Sequence, residues 1–402
     1  MGDLEALTPL RRAWDYQAPR QPAQCLPLVY GDMQGGGGGL WRAVCLDTGA
    51  GVYALAGHPL LGLMAGNQVT LYGRDDLPID PAAYALDLDH DFQGRGRIAT
   101  ATFAGEVRPA EPLTVRAQGK PDAQGCLLVN PLDVAVDFLV EVCGLDMEEL
   151  DPGDLARSRV RAEALGYRAS GVIQQPQSVA SQLTELLATF LGSWWRAGSG
   201  LLRLMLDLGP GSVSDGELAA SLNQSELKDV SVSVRLADVV NRAEALYRHN
   251  PERREFEAGL DGQDSQDLAS QALYGLQRRV LELKWVRDAA TAGRVARALV
   301  EGYGAPRRVI TCQEGALGNL ALEKGDVALL SLDWLYDQEG RPLVNQITRV
   351  LAVEPQLDRG AIAFTLLDSG FHKTTAHPAD GSRLADGRGL AGGERDRTEY
   401  RA

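Results

Sequence analysis

The residues that could do chemistry are few and scattered. Histidines stand at His58, His90, His249, His372 and His377, with no HxxxH or HExxH pairing. No two imidazoles are therefore set one helical turn apart to share a zinc ion. "DLDHD" at 87–91 gathers carboxylates around His90 and reads as a solvated turn with weak cation affinity at most. "DGQDSQD" at 261–267 has the look of a calcium loop, but lacks the glycine at its sixth place and the glutamate at its twelfth. No GxSxG elbow occurs, and "AGSG" at 197–200 reads as a hairpin turn. "GGGGG" at 35–39 lacks the Lys-Ser/Thr that a phosphate cradle needs and reads as a flexible hairpin tip. The densest aromatic cluster, "SWWRAG" at 193–198, reads as core anchors at a helix end. No catalytic, cofactor-binding or metal-ligating residue is assigned. The expectation is a non-enzyme without cofactor.

The chain has 402 residues, 45% of them hydrophobic, which is enough to build cores for two to four domains. Acids number 54 against 40 lysines and arginines, a formal charge of −14. That balance argues against a protein whose task is to grip nucleic acid or an anionic membrane, while leaving room for nucleic acid sliding past an acidic wall. Cys25, Cys45, Cys126, Cys143 and Cys312 form no CxxC pair, as expected of reduced thiols in a chain that folds in cytoplasm. The first residues, "MGDLEALTPLRRAW", carry charge where a signal peptide would be apolar. Asp137 and Arg203 interrupt the longest apolar runs, so no membrane insertion is expected.

The elements that would position any site fall into blocks. After an arm at 1–21, residues 22–128 carry short runs bounded by Gly, Asp or Pro, such as "CLPLVYGD", "GVYALAGH" and "RIATATFAG". They predict a first antiparallel β-barrel. Asn130 and Pro131 open a helix, and "QPQSVASQLTELLATFLGSWW" sets Val179, Leu183, Leu186, Leu187, Phe190 and Leu191 at helical spacing. Residues 129–228 thus predict a small α/β middle region. Residues 229–305 read as a connecting unit: strands, a polar loop at 250–268, and a helix opened by Asp288. Residues 306–370 return to strands and predict a second β-barrel. Residues 371–402 read as a polar, flexible tail. The fold class expected is α+β and β-rich, with two tube-like antiparallel barrels flanking a helix-containing middle.

Several stretches resemble the tail hub or tail-tip family of tailed bacteriophages. "LPLVYGD" (26–32) resembles its Pro-leading Tyr-Gly strand. "QSVASQLTELLATFLGSWWRAGSGLLRLMLDLG" (177–209) resembles its helix, turn and G-x-L-R-L-x-L strand. "DVVNRAEALYRHN" (238–250) is similar to its Asn-Arg-x-x-x-x-Tyr strand, and "LEKGDVALLSL" (322–332) to a tight turn entering a barrel strand. The ordered set spans most of residues 25–370.

The resemblance implies a structural virion protein at the distal end of the tail, forming a homotrimer whose two barrels per copy match a hexameric tube to a three-fold tip. Implied partners are tail tube and distal tail proteins, the tape measure protein and a central spike or fibre, with genomic DNA passing through the lumen unbound. Longer tip proteins carry further receptor-binding modules, so a bare hub is expected here. A phage-derived injection or gene-transfer particle would use the same hub. The alternative from another class is a cell-wall hydrolase with a β-rich binding domain and a catalytic unit at 130–210. At the turn itself, Gly325 is expected at positive φ, with Asp326 accepting backbone hydrogen bonds.

Overall fold

The computed structural model describes Leu4 and residues 25–92, 94, 96–104, 112–206, 218–234, 236–315, 317–336 and 340–372. Apart from Leu4, the expected arm lies outside the described residues, as do all but the first two residues of the expected tail. The chain is α+β and rich in antiparallel strands. Among the described residues no helix is long and apolar enough to cross a membrane, and no disulfide joins the cysteines.

Strand β1 (Leu28–Tyr30) leaves the first block at once and pairs with β9 (Gly171–Ile173) of the middle region. Tyr30 then donates to Asp137 across 2.8 Å, and Lys120 meets the same carboxylate at 2.6 Å. The first β unit is built from β2 (Trp41–Arg42), β3 (Val44–Asp47), β4 (Val52–Ala56), β5 (Thr70–Tyr72), β6 (Tyr84–Asp91), β7 (Arg97–Phe103) and β8 (Thr114–Arg116). They form two sheets, β2-β8-β5 and β3-β4-β7-β6. Trp41, Leu55, Leu71, Phe103 and Val115 close over one core, and the Trp41 indole donates to the Leu55 carbonyl. Where a turn is expected at 87–91, the chain forms the end of β6. Its alternation puts Asp87, Asp89 and Asp91 outward and Leu86 and Leu88 toward the core, a pattern the carboxylates mask.

The second β unit uses β12 (Leu218–Asn223), β13 (Leu227–Val234), β17 (Arg308–Glu314), β18 (Val327–Tyr336), β19 (Pro342–Gln356) and β20 (Ala361–His372), in the order β12-β18-β19-β20-β17-β13. Its two edge strands are joined by residues 224–226 alone, a link that reaches about 14 Å at most. Six flat strands would hold those edges about 24 Å apart. The sheet must roll up, and its inner face buries Leu222, Ile310, Leu330, Val350, Phe364 and Leu366. The expected boundaries put 218–228 in the middle region and 229–305 in the connecting unit. In the structure 218–234 are strands of the second β unit, because Val232 and Ser233 lie in register with Ile310 and Val309.

The two β units share a plan. In each, the first strand is broken: β2 and β3 at Ala43, β12 and β13 at 224–226. In each, the second half of that strand pairs with the second strand, the second with the fifth and the fifth with the fourth, all antiparallel: β3-β4-β7-β6 and β13-β17-β20-β19. The first half crosses to another partner, β8 in one unit and β18 in the other.

Between the units lies one continuous core. It joins α1 (Pro131–Asp137), α2 (Pro152–Ala164), α3 (Val179–Thr189), the hairpin β10 (Gly192–Arg196) and β11 (Leu202–Leu206), the sheet β15 (Glu255–Leu260), β14 (Arg242–Asn250) and β16 (Arg278–Glu282), and α5 (Ala289–Tyr303). Asn130 and Asp288 cap their helices as expected, and Ser178, which the apolar spacing did not single out, caps α3. Part of the polar loop at 250–268 is strand β15, its alternation hidden by Glu255 and Glu257. A helix that the periodicity does not announce, α4 (Leu268–Tyr274), follows it.

Candidate functional site

Two of the stretches quoted above meet in space. The hairpin β10–β11 packs on α2 and α3 and projects Trp195 and Arg203 toward the turn at 322–326 that opens β18. Arg203, almost wholly buried, meets Asp326 at 2.9 Å and Asp154 of α2 at closer range. Its guanidinium lies 5.3 Å from the Trp195 ring centre, and the Lys324 ammonium 5.4 Å from the same ring. Burial alone would lower the arginine's pKa, but the hydrogen bonds and charges of Asp154 and Asp326 outweigh it and raise it. Burial would raise Asp154, and Arg203 and Arg157 hold it below its ordinary value.

Gly325 takes φ +92°, as expected, and a Cβ placed there would stand 2.3 Å from Cζ2 of Trp195. Two constraints therefore demand glycine: the left-handed backbone and the indole resting on it. Asp326 accepts the Glu323 N–H at 2.9 Å, the turn-orienting role expected, and also carries the ion pair that the spacing did not show. Arg349 of β19 adds a contact to the Met205 sulfur. The tryptophans of "SWWRAG" stand in a strand rather than at a helix end. Trp195 is buried, and Trp194 donates to Thr184 Oγ1 at 2.8 Å. The site is a charged, largely buried joint between the helical middle and the second β unit.

No protein-family model matches the chain, and no curated protein does. Solved structures similar to it include a tail protein from Neisseria meningitidis (12% identity over 73% of this chain and 81% of that one, TM-score 0.35). Another is the 43 kDa tail protein of prophage MuSo2 from Shewanella oneidensis (10%, 86% and 89%, TM-score 0.37). A third is a prophage tail protein from Listeria monocytogenes (10%, 79% and 91%, TM-score 0.33).

A second joint ties the middle region to the first β unit. The glycine run at 35–39 wraps the buried Arg116 guanidinium, whose nitrogens donate to the carbonyls of Gln34, Gly35, Gly37 (2.7 Å) and Gly38 (2.6 Å). Arg287, also buried, reaches Gly35 O at 2.9 Å and His249 O at 3.2 Å. A phosphate cradle turns N–H groups inward; this loop turns carbonyls inward, toward cations. The hairpin tip between β14 and β15 braces it, with Glu252 on Arg42 at 2.7 and 2.8 Å and Arg253 on Asp76. The run is thus a clasp where a flexible tip is expected.

The remaining candidates do local work. His58 Nε2 accepts the Val29 N–H at 2.8 Å, and its Nδ1 lies 2.7 Å from Pro59 O. His90 rests on Asp87. His249 packs on Phe256, and burial, then Lys284, pulls its pKa down. His377 lies outside the described residues. Within 261–267, Asp261 accepts the Gln263 N–H and Asp267 caps α4. Among the described residues no three His, Cys, Asp or Glu side chains gather to hold a metal. Two adjoining polar clefts of about 400 and 380 Å³ share Gln174, Gln175 and Arg254. The ion pairs Arg42–Glu252 and Lys284–Glu185 stand in their walls.

Asn241, of the Asn-Arg strand motif, is fully buried and satisfied. Its amide donates to Gly275 O (2.7 Å) and Ser270 Oγ (3.2 Å) and accepts from Gln277 N (2.8 Å). It pins the segment that carries α4.

Proposed function

We propose that the protein is a structural component of a bacteriophage tail. It is the hub at the distal end, where three copies join the six-fold tube to a three-fold tip, spike or fibre and line the channel through which DNA leaves. One observation carries the reading: two β units in one chain share a strand order, β3-β4-β7-β6 and β13-β17-β20-β19, and both adjoin a common helical middle; we read each as a tube-forming barrel. Three such chains offer six like barrels, which is what a hexameric ring requires of a trimeric neighbour. The stretches that resemble tail hubs support it further, because they build the joints rather than any reactive cluster. The net charge of −14 suits a wall that repels phosphates.

In this reading the chain assembles in the host cytoplasm, contacts tube, distal tail and tape measure proteins, and has no catalytic duty. A reconstruction of the particle carrying this chain tests it: three copies at the tail tip are expected, and one or six copies would overturn it. Clearing of peptidoglycan by the purified chain in a zymogram would favour the hydrolase instead.

A further inference from the structure

Helix α4 is turned inside out. Its polar residues face the protein: Ser270 and Gln271 bond the Asn241 side chain and carbonyl, and Asp267 caps the first turn. Its apolar residues face water, with Leu268, Leu273 and nearby Leu276 at 68, 74 and 58% exposed. Half-exposed Val280 and Leu246 continue the patch along β16 and β14. A surface helix ordinarily shows the reverse pattern, and large apolar side chains exposed together on one short helix mark an interaction surface. Beside it, β16 is an edge strand of its sheet and carries exposed Arg279 and exposed Arg278, whose guanidinium also reaches Glu244 at 3.4 Å, in a chain of net negative charge. The surface therefore offers leucines, an open backbone ladder and two cations.

The first barrel offers the complement. Edge strand β6 presents Asp87, Asp89 and Asp91 outward. Leu63 and Leu77 of the same unit are more than half exposed, and Met64 fully. The two surfaces lie at opposite ends of the β14–β16 sheet. Arg242 of β14 is in register with Arg278 at the α4 end, whereas the far end of β14 leads to Arg253, which grips Asp76 of the first barrel. Nine strand residues separate these ends by about 27 Å, so neither surface of one copy can cover the other.

We propose that the α4–β16 face docks on the β6 face of a second copy, head to tail. A heterologous contact of this kind closes into a ring when its rotation permits. The proposal rests on the hub reading above for the ring size of three, and for nothing else.

The test uses the full chain. Native mass spectrometry and sedimentation across a concentration series should show a ring, and Leu273→Glu should weaken self-association by about tenfold or more. The pair Arg278→Glu and Arg279→Glu should also dissociate the ring, as should the pair Asp87→Lys and Asp91→Lys. All four changes in one chain should restore it, since each contact again joins opposite charges. Circular dichroism confirms that each variant is folded, with Leu273→Ser as the gentler substitute.

A wild type that stays monomeric would overturn the proposal, as would a ring indifferent to Leu273→Glu or a four-fold variant that does not reassemble. Protection of the leucine face within a monomer would do so too, by showing that another part of the same chain covers it. A ring built through this face but missing from tail tips would leave the inference standing and remove the hub reading. Three copies at a tip that meet through other surfaces would do the opposite.

Discussion

Both joints of the molecule close a glycine-bearing turn over a buried arginine, yet they satisfy that arginine differently. Arg203 is held by the carboxylates of Asp154 and Asp326, and its affinity for its proton rises. Arg116 is held by the carbonyls of 34–38, and burial pulls its pKa down; its buried neighbour Arg287 falls to about 10. Carboxylates cancel charge, so the Arg203 joint is strong but intolerant of losing a member. At the second joint carbonyl dipoles do most of the solvating, and a single carboxylate, Glu257, 3.7 Å from Arg287, offsets only part of the charge of two buried arginines; the loop that supplies the carbonyls stands at the surface, where water can replace it.

The largest effect should come from breaking the carboxylate joint. Arg203→Met leaves Asp326 without its partner and Asp154 with Arg157 alone, and should cost about 3–5 kcal/mol in chemical denaturation. Equal loss in Arg116→Met would erase the distinction; about 1–3 kcal/mol is expected there, because the freed carbonyls rehydrate.

Gly325→Val combines a strained backbone with a collision against Trp195 and should cost about 3 kcal/mol or more. If the collision contributes, Trp195→Leu placed beside Gly325→Ala should show a favourable coupling in a double-mutant cycle.

Acid should separate the joints next. Asp154 titrates below its ordinary value, so its contribution is complete above the unfolded carboxyl pKa of about 3.9 and is lost as pH falls through the lower folded value. Thermal melts should therefore show the Arg203 joint weakening only below about pH 4, and the Arg203→Met variant should lack that component. Asp76 beside the glycine clasp is also held low, but it stands in solvent, where such pairs contribute little.

Asp326→Asn keeps the acceptor for Glu323 N–H and loses one charge, so about 1 kcal/mol is expected. Smallest of all, Gly37→Ala meets nothing within 4 Å and should stay within about 0.5 kcal/mol.

These joints show what a linear reading can reach. The turn at Gly325, the caps at Asn130 and Asp288 and the hairpin at 197–200 are local, and their chemistry is written in adjacent residues. The contact of Trp195 with Gly325 joins positions 130 apart, and nothing in "SWWRAG" or "LEKGD" names the other. The glycine run misleads for a related reason. Its conformational freedom is legible, but the arginine that uses its carbonyls lies some eighty residues on. Strands β6 and β15 were masked because alternating acids read as turn or loop when the apolar half of the pattern is short. Strand β12 and the sheet role of β13 depend on partners beyond residue 308.

That last separation shapes how the chain is made. Val234 and its register partner Arg308 are 74 positions apart, with the connecting unit inserted between them. At roughly 5 to 20 residues per second, β12 and β13 wait about 4 to 15 s on the ribosome before any partner strand emerges. Two unpaired strands must then stay out of trouble while the insert folds and brings its ends together. The alternating serines of "DVSVSV", which leave no long apolar run, suit strands held open for that interval.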